Sequence, residues 1–214
     1  MHHYIDIHTH DTRPTDNALR VVNVYDHFDN IPETGWFSAG LHPWYLPQPI
    51  DMNPLREVAV QPNVLAIGEC GLDKVCTTDW DLQLRAFTQQ IELANNIGMP
   101  LIIHCVRAWE EVMTILKHHK VSVPVIFHGF NKSNIASRII DNGYYLSFGK
   151  ALLSPGSPAA AAITTAPADR YFLETDDSDI SITDIYAAAT TLRQTEQDDV
   201  ILQLRQNFKT VFNR

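Results

Sequence analysis

Apolar positions along the chain fall into two rhythms. Short runs rich in β-branched and aromatic residues alternate with longer segments whose apolar positions recur every three to four residues. The short runs predict strands at 4–8 (YIDIH), 20–25 (RVVNVY), 36–41 (WFSAGL), 64–69 (VLAIGE), 101–105 (LIIHC), 124–128 (PVIFH), 144–148 (YYLSF) and 171–175 (YFLET). The longer segments predict helices near 53–60, 79–97, 107–119, 131–142, 157–166, 182–194 and 196–212. The 79–97 segment is the clearest of these. Trp80, Leu84, Phe87, Ile91 and Ala94 make one apolar stripe, and Gly98 and Pro100 mark its end.

Alternating strand and helix imply parallel strands, and eight strands imply a (β/α)8 TIM barrel. At 214 residues the chain is short for that fold, where about 250 is typical. The saving falls early. Neither the 9–19 connection nor the 26–35 connection reads as a full helix, so the expectation is a barrel trimmed in its outer helix layer between strands 1 and 3. No internal repeat, low-complexity tract or linker divides the chain. A single domain spanning 1–214 is expected.

Composition narrows the partners more than the fold. A formal charge of −9 argues against a broad surface that coats nucleic acid. It leaves room for a phosphate-bearing substrate, because bound cations reverse the local potential. Cys70, Cys76 and Cys105 are odd in number and lack CxxC spacing, which fits reduced thiols. With no signal-like stretch in 1–20 and no long apolar run, the expectation is a cytoplasmic protein without a membrane partner. His2 and His3 are too short a pair to be a purification tag.

Chemistry gathers where the strands end. In a barrel the C-terminal strand ends share one rim, and active sites are built there. Strand one ends in His8 and His10, strand four in Gly68-Glu69-Cys70-Gly71-Leu72-Asp73, and strand five in His104. Strand six ends in His128 and strand eight in Glu174-Thr175-Asp176, while His42 follows strand three. Taken singly, each has an ordinary reading as a hydrogen-bonded histidine, a helix cap or a turn former. Together, nitrogen and oxygen donors from separate elements are what a metal site requires. Four histidines with Glu69 and Asp176 suit two cations sharing a bridging carboxylate and a bridging water. Trp44 and Tyr45 are open to either packing on their own loop or stacking on a base.

HxH (His8, His10), GxHP (Gly40 to Pro43), GExGLD (Gly68 to Asp73), a strand-terminal His104, HxF (His128) and ETD (Glu174 to Asp176) occur in that order. The series resembles the TatD family of metal-dependent hydrolases over nearly the whole chain, including the Gln83/Phe87 helix and the terminal NFKTVF. That resemblance implies a (β/α)8 barrel, one or two divalent metal ions (Mg, Mn or Zn) and deoxyribonuclease activity on DNA or another phosphoester. It assigns His8, His10 and Asp176 to one metal and His104 and His128 to the other. Glu69 would bridge the two, and His42 would touch the substrate phosphate. Asp176 would also orient the attacking water and accept its proton.

Departures from the family pattern sit beside these residues. ETD is followed here by Asp177-Ser178-Asp179, where the family usually has Ser-Pro and an aromatic. Arg107 lies three residues after His104 rather than two, and Lys150 follows strand seven where the family residue is usually uncharged. Each is a candidate phosphate contact, and for Lys150 a solvated side chain is an equal alternative. Competing functions on the same frame are a PHP-like phosphoesterase, an amidohydrolase acting on a small substrate, or a non-catalytic barrel. No sequence feature names a protein partner.

Overall fold

A computed structural model describes residues 4–13 and 15–213. His2 and His3 lie outside the described residues. In chain order the elements are β1 (Tyr4–Thr9), β2 (Ala18–Val24), β3 (Trp36–Ala39), α1 (Asn53–Ala59), β4 (Val64–Asp73), α2 (Trp80–Ile97) and β5 (Leu101–Val106). There follow α3 (Trp109–His118), β6 (Val125–Phe127), α4 (Ala136–Asp141), β7 (Tyr145–Phe148), α5 (Pro158–Thr165), β8 (Tyr171–Leu173), α6 (Ile182–Arg193) and α7 (Gln197–Phe212). The expected strands and helices are present within a few residues of their expected bounds, except that the helix expected over 131–142 is shortened to α4 behind a 3-10 turn at Ser133–Ile135. Among the described residues no α-helix lies between β1 and β3; only the 3-10 turn Phe28–Asn30 does. Among the described residues no helix is long and apolar enough to cross a membrane.

Packing divides the chain into two compact units, 1–22 with 126–214, and 23–125. In the first unit, β1 pairs in parallel with β2 in the register Tyr4↔Ala18 to Thr9↔Val22. Strand β7 pairs in parallel with both β6 and β8. A parallel bridge between Thr9 and Asp176 brings the chain beyond β8 back beside β1. An open doubly wound sheet leaves its first and last strands apart; a closed one must bring them together. Five of the six β1 residues are buried, as expected of a parallel strand covered on both faces. Helices α6 and α7 pack against β1 and β8, and the buried Tyr186 of α6 fixes the contact. Its hydroxyl accepts from the Ile5 amide at 3.0 Å and donates to the Ile5 carbonyl at 3.1 Å.

In the second unit, β4 lies between β3 and β5, parallel to both. All ten residues of β4 are buried, and it runs to Asp73, past the expected end at Glu69. Two glycines permit the extension. A Cβ on Gly68 would stand 2.6 Å from the Ile102 carbonyl oxygen, and one on Gly71 would stand 2.0 Å from that of His104. Helix α2 covers this sheet, begun by the Asp79 side chain, which accepts from the Leu82 amide, and ended by Gly98 at φ 70°. Its buried face is rotated from the expected stripe: Gln83 and Gln90 are buried while Trp80 and Leu84 are only half-buried. The reason is hydrogen bonding. Gln90 accepts from the Leu41 amide at 2.7 Å and donates to the Leu41 carbonyl at 3.1 Å. Gln83 does the same for Asp73, at 2.8 and 3.1 Å. Two amide side chains thus satisfy main-chain groups just past β3 and at the end of β4, next to His42 and behind the site residues.

Candidate metal centre

The first unit gathers His8, His10, His128 and Asp176. One ligand atom each from His8, His128 and Asp176 lies within 4.8 Å of the others. Asp176 Oδ1 is 3.6 Å from Nε2 of both His8 and His10. The His8 and His128 rings are 4.4 Å apart by centroid. Asp176 reaches this position with a left-handed backbone, φ 53°, a conformation that short polar side chains tolerate best. Main-chain bonds hold it there: the Asp176 amide donates to His8 O and the His10 amide to Asp176 O, both at 3.0 Å.

Behind these ligands stand residues that no motif reading singled out for a role. Glu174 is fully buried, 3.6 Å from His128 Nδ1. It accepts hydrogen bonds from the Gly129 amide at 2.5 Å and from the Ser147 hydroxyl. Asp6 is also fully buried and accepts from the Thr175 hydroxyl at 2.7 Å and amide at 3.0 Å. Burial raises its carboxyl to about 7, against the pull of those Thr175 bonds. The sequence signal for Glu174 and Asp6 is an acid inside an otherwise apolar buried strand or at its end.

The second unit gathers His42, Glu69 and His104, again with ligand atoms within 4.8 Å of one another. All three are buried. Glu69 Oε1 is 2.6 Å from His104 Nδ1 and 3.1 Å from His42 Nε2. The two histidines differ in what their second nitrogen meets. His42 Nδ1 accepts the Trp44 amide at 3.1 Å, so the proton of a neutral His42 sits on Nε2 and points at Glu69. That makes His42 a hydrogen-bond donor in this arrangement. His104 Nε2 instead faces Asp73 Oδ2 at 3.1 Å. Burial raises the Asp73 carboxyl, but bonds from the Trp44 indole, the Val75 amide and His104 outweigh it and leave the group below its ordinary value. Asn23 ties β3 to β4, its Oδ1 accepting from the Glu69 amide at 2.8 Å and the Ser38 hydroxyl at 3.1 Å.

His128 lies with His8 and Asp176 in the first unit, and His104 with Glu69 in the second. Arg107 is exposed, directly after β5, with φ 55°. Lys150 is exposed and paired with Asp177, Nζ to Oδ1 2.9 Å, so one of the two added acids has a cation beside it. Cys70 is buried, and Cys76 and Cys105 are partly so; all three are free thiols.

Both groups pass a chemical test for divalent cations. Each offers imidazole nitrogen with carboxylate oxygen, the mixed donor set that Zn²⁺, Mn²⁺ and Mg²⁺ sites draw on. Each is held by main-chain and side-chain bonds that fix ligands before a cation arrives.

Comparison with known proteins gives these groups a context. The uncharacterized metal-dependent hydrolase YcfH of Escherichia coli strain K12 is 31% identical over 144 residues, 65% of this chain and 54% of that protein. A 3'-5' ssDNA/RNA exonuclease TatD from Rahnella sp. is 34% identical over 163 residues, 69% of this chain and 59% of that protein. The matched region therefore spans a little over half the length of these relatives. Among solved structures, YjjV, a TatD homologue from Escherichia coli K12, superposes with a TM-score of 0.85 at 21% identity, covering 99% of this chain and 98% of that one. The fold is accordingly the (β/α)8 barrel of that group, trimmed between β1 and β3. A family model described as TatD related DNase matches residues 6–213, and the chain belongs to that family.

Proposed function

We propose that the chain is a metal-dependent phosphodiesterase, a deoxyribonuclease acting on nucleic-acid ends in the cytoplasm. The observation that carries this reading is the gathering of imidazole and carboxylate donors within each unit, His8, His128 and Asp176 in one and Glu69 and His104 in the other, in a chain the TatD family model matches through both. Relatives named as 3'-5' ssDNA/RNA exonucleases supply the substrate class. Because the family match runs from 6 to 213, the proposal treats 1–214 as one functional domain.

In this reading His8, His10, His128 and Asp176 hold one divalent cation, and Glu69 and His104 hold a second. Such ions supply Lewis-acid polarisation of a phosphoryl oxygen and of the attacking water, and they offset charge that builds in the transition state. The protein's own groups do the rest. Asp176 orients the water and accepts its proton on a carboxylate oxygen. Its backbone, bonded to the main chain of His8 and His10, keeps the residue beside those histidines. His42, with its one proton on Nε2, donates to Glu69 and, once substrate is present, donates to a phosphate oxygen instead. Arg107 and Lys150 are proposed phosphate contacts, Lys150 exchanging its exposed Asp177 partner for substrate.

The test is a metal-reconstitution assay. Protein stripped with a chelator and reloaded with Mg²⁺, Mn²⁺ or Zn²⁺ should cleave single-stranded DNA, RNA or a chromogenic phosphodiester. Asp176→Asn should abolish turnover while retaining much of the bound metal. Absence of turnover on all three substrates with metal bound, or near-normal turnover in Asp176→Asn, refutes the reading.

A further inference from the structure

The two ring nitrogens of His104 face different carboxylates, Nδ1 toward Glu69 at 2.6 Å and Nε2 toward Asp73 at 3.1 Å. A histidine that ligates a cation gives it one nitrogen lone pair and keeps its proton on the other nitrogen. Which nitrogen does which is therefore decided by which carboxylate is committed to protein donors. Asp73 is so committed. Its Oδ2 accepts from the Trp44 indole N–H at 2.6 Å, and its Oδ1 accepts from the Val75 and Cys76 amides at 2.7 and 3.3 Å. His104 Nε2 lies 3.1 Å from Oδ2, at the one position those three donors leave on a carboxylate with about four. The main chain of Asp73 is held as well, by Gln83.

We propose that Asp73 is a positioning residue: it keeps the His104 proton on Nε2 and turns the ring so that Nδ1 is the ligand atom beside Glu69. Asp73 itself binds no metal, since its acceptor positions are filled by protein donors. This assignment rests on the metal-centre reading above.

The experiment uses zinc-loaded protein with ¹⁵N-labelled histidine and long-range ¹H–¹⁵N correlation, alongside zinc affinity by competition with a chromophoric chelator. His104 resonances are assigned by their loss in His104→Gln. The expected wild-type signature is a metal-bound Nδ1 with a protonated Nε2. Asp73→Ala should lose that signature and bind zinc at this site roughly 10–100-fold more weakly. Asp73→Glu, whose carboxylate can still accept from Nε2–H, should keep the signature and recover part of the affinity. It also carries the test if Asp73→Ala fails to fold. Coordination of wild-type His104 through Nε2 overturns the proposal, as does a folded Asp73→Ala with unchanged signature and affinity. A zinc-bound His104 that ignores Asp73 sinks this proposal alone. A wild-type protein that binds no zinc through His104 sinks the metal-centre reading as well.

Discussion

Adding one methyl group at Gly71 should separate the two strands that carry Glu69 and His104. Gly71 has φ 146°, and a Cβ there would stand 2.0 Å from the His104 carbonyl oxygen and 2.9 Å from its carbonyl carbon. Both atoms are main chain, so no rotamer change relieves the contact. Real Cβ contacts essentially never fall under 3.0 Å, so β4 and β5 must part by about 1 Å at His104, a misplacement that can cost about 100-fold in rate. Overpacking of about 1–3 kcal/mol and backbone strain of similar size add in the same direction. A loss near 3 kcal/mol corresponds to about 6–12 °C in Tm for a chain of this length. Gly98→Ala is the control. Gly98 also has positive φ, 70°, but nothing lies within 4 Å of its Cβ position, so only the left-handed penalty of about 1–2 kcal/mol applies. Thermal melts, zinc titration and phosphodiesterase assays on both variants make the comparison. If Gly71→Ala melts within 2 °C of the Gly98→Ala control and turns over at half the wild-type rate or more, with zinc affinity intact, the close approach does not shape the site.

Gln90→Leu keeps the side-chain volume but strands the Leu41 amide and carbonyl. At about 1–3 kcal/mol for each orphaned group, partly offset by apolar burial, urea titration should show a net loss of about 1–3 kcal/mol; a loss under about 0.5 kcal/mol would contradict the clasp. Tyr186→Phe removes both partners of Ile5 and should cost about 2–4 kcal/mol by the same measurement, with no change expected in the zinc affinity of His104. Lys150→Ala breaks an exposed pair with Asp177 and should leave Tm within about 2 °C; a raised KM for DNA with unchanged kcat would mark Lys150 as a substrate contact, and an unchanged KM as solvated. Saturating chelator should abolish turnover, and Zn²⁺ or Mn²⁺ should restore it.

The fold was legible because the strands of a closed parallel sheet are covered on both faces. Such strands appear in sequence as short apolar runs, and β1, β4 and β7 are buried along all or nearly all their length. The missing early helices were legible for the opposite reason: residues 10–17 and 25–35 offer no apolar stripe that a helix could bury. What period alone could not reveal was the full reach of β4. GECGLD looks like a loop because it holds two glycines and two acids. In the structure the glycines are what let β5 approach, so they extend the strand instead of ending it.

The supporting residues were hidden by a bias in pattern reading itself. The apolar stripe of α2 begins at Trp80 and Leu84 and does not include Gln83 and Gln90. Yet those glutamines are seven apart, with Phe87 between them, and so share one helix face. Polar side chains at helical period on a buried face must be bonded to something buried, and here that is the main chain at Leu41 and Asp73. Asp73 follows the same logic. It stands at the end of a strand with every residue buried, where an acid persists only with its acceptor positions filled. Ligand positions announce themselves because donor types recur at strand ends, whereas the residues that aim them are found by asking which buried polar group each one satisfies. A pair of polar residues at core period beside a strand-end histidine is therefore the sequence signal to look for when locating the support of such a site.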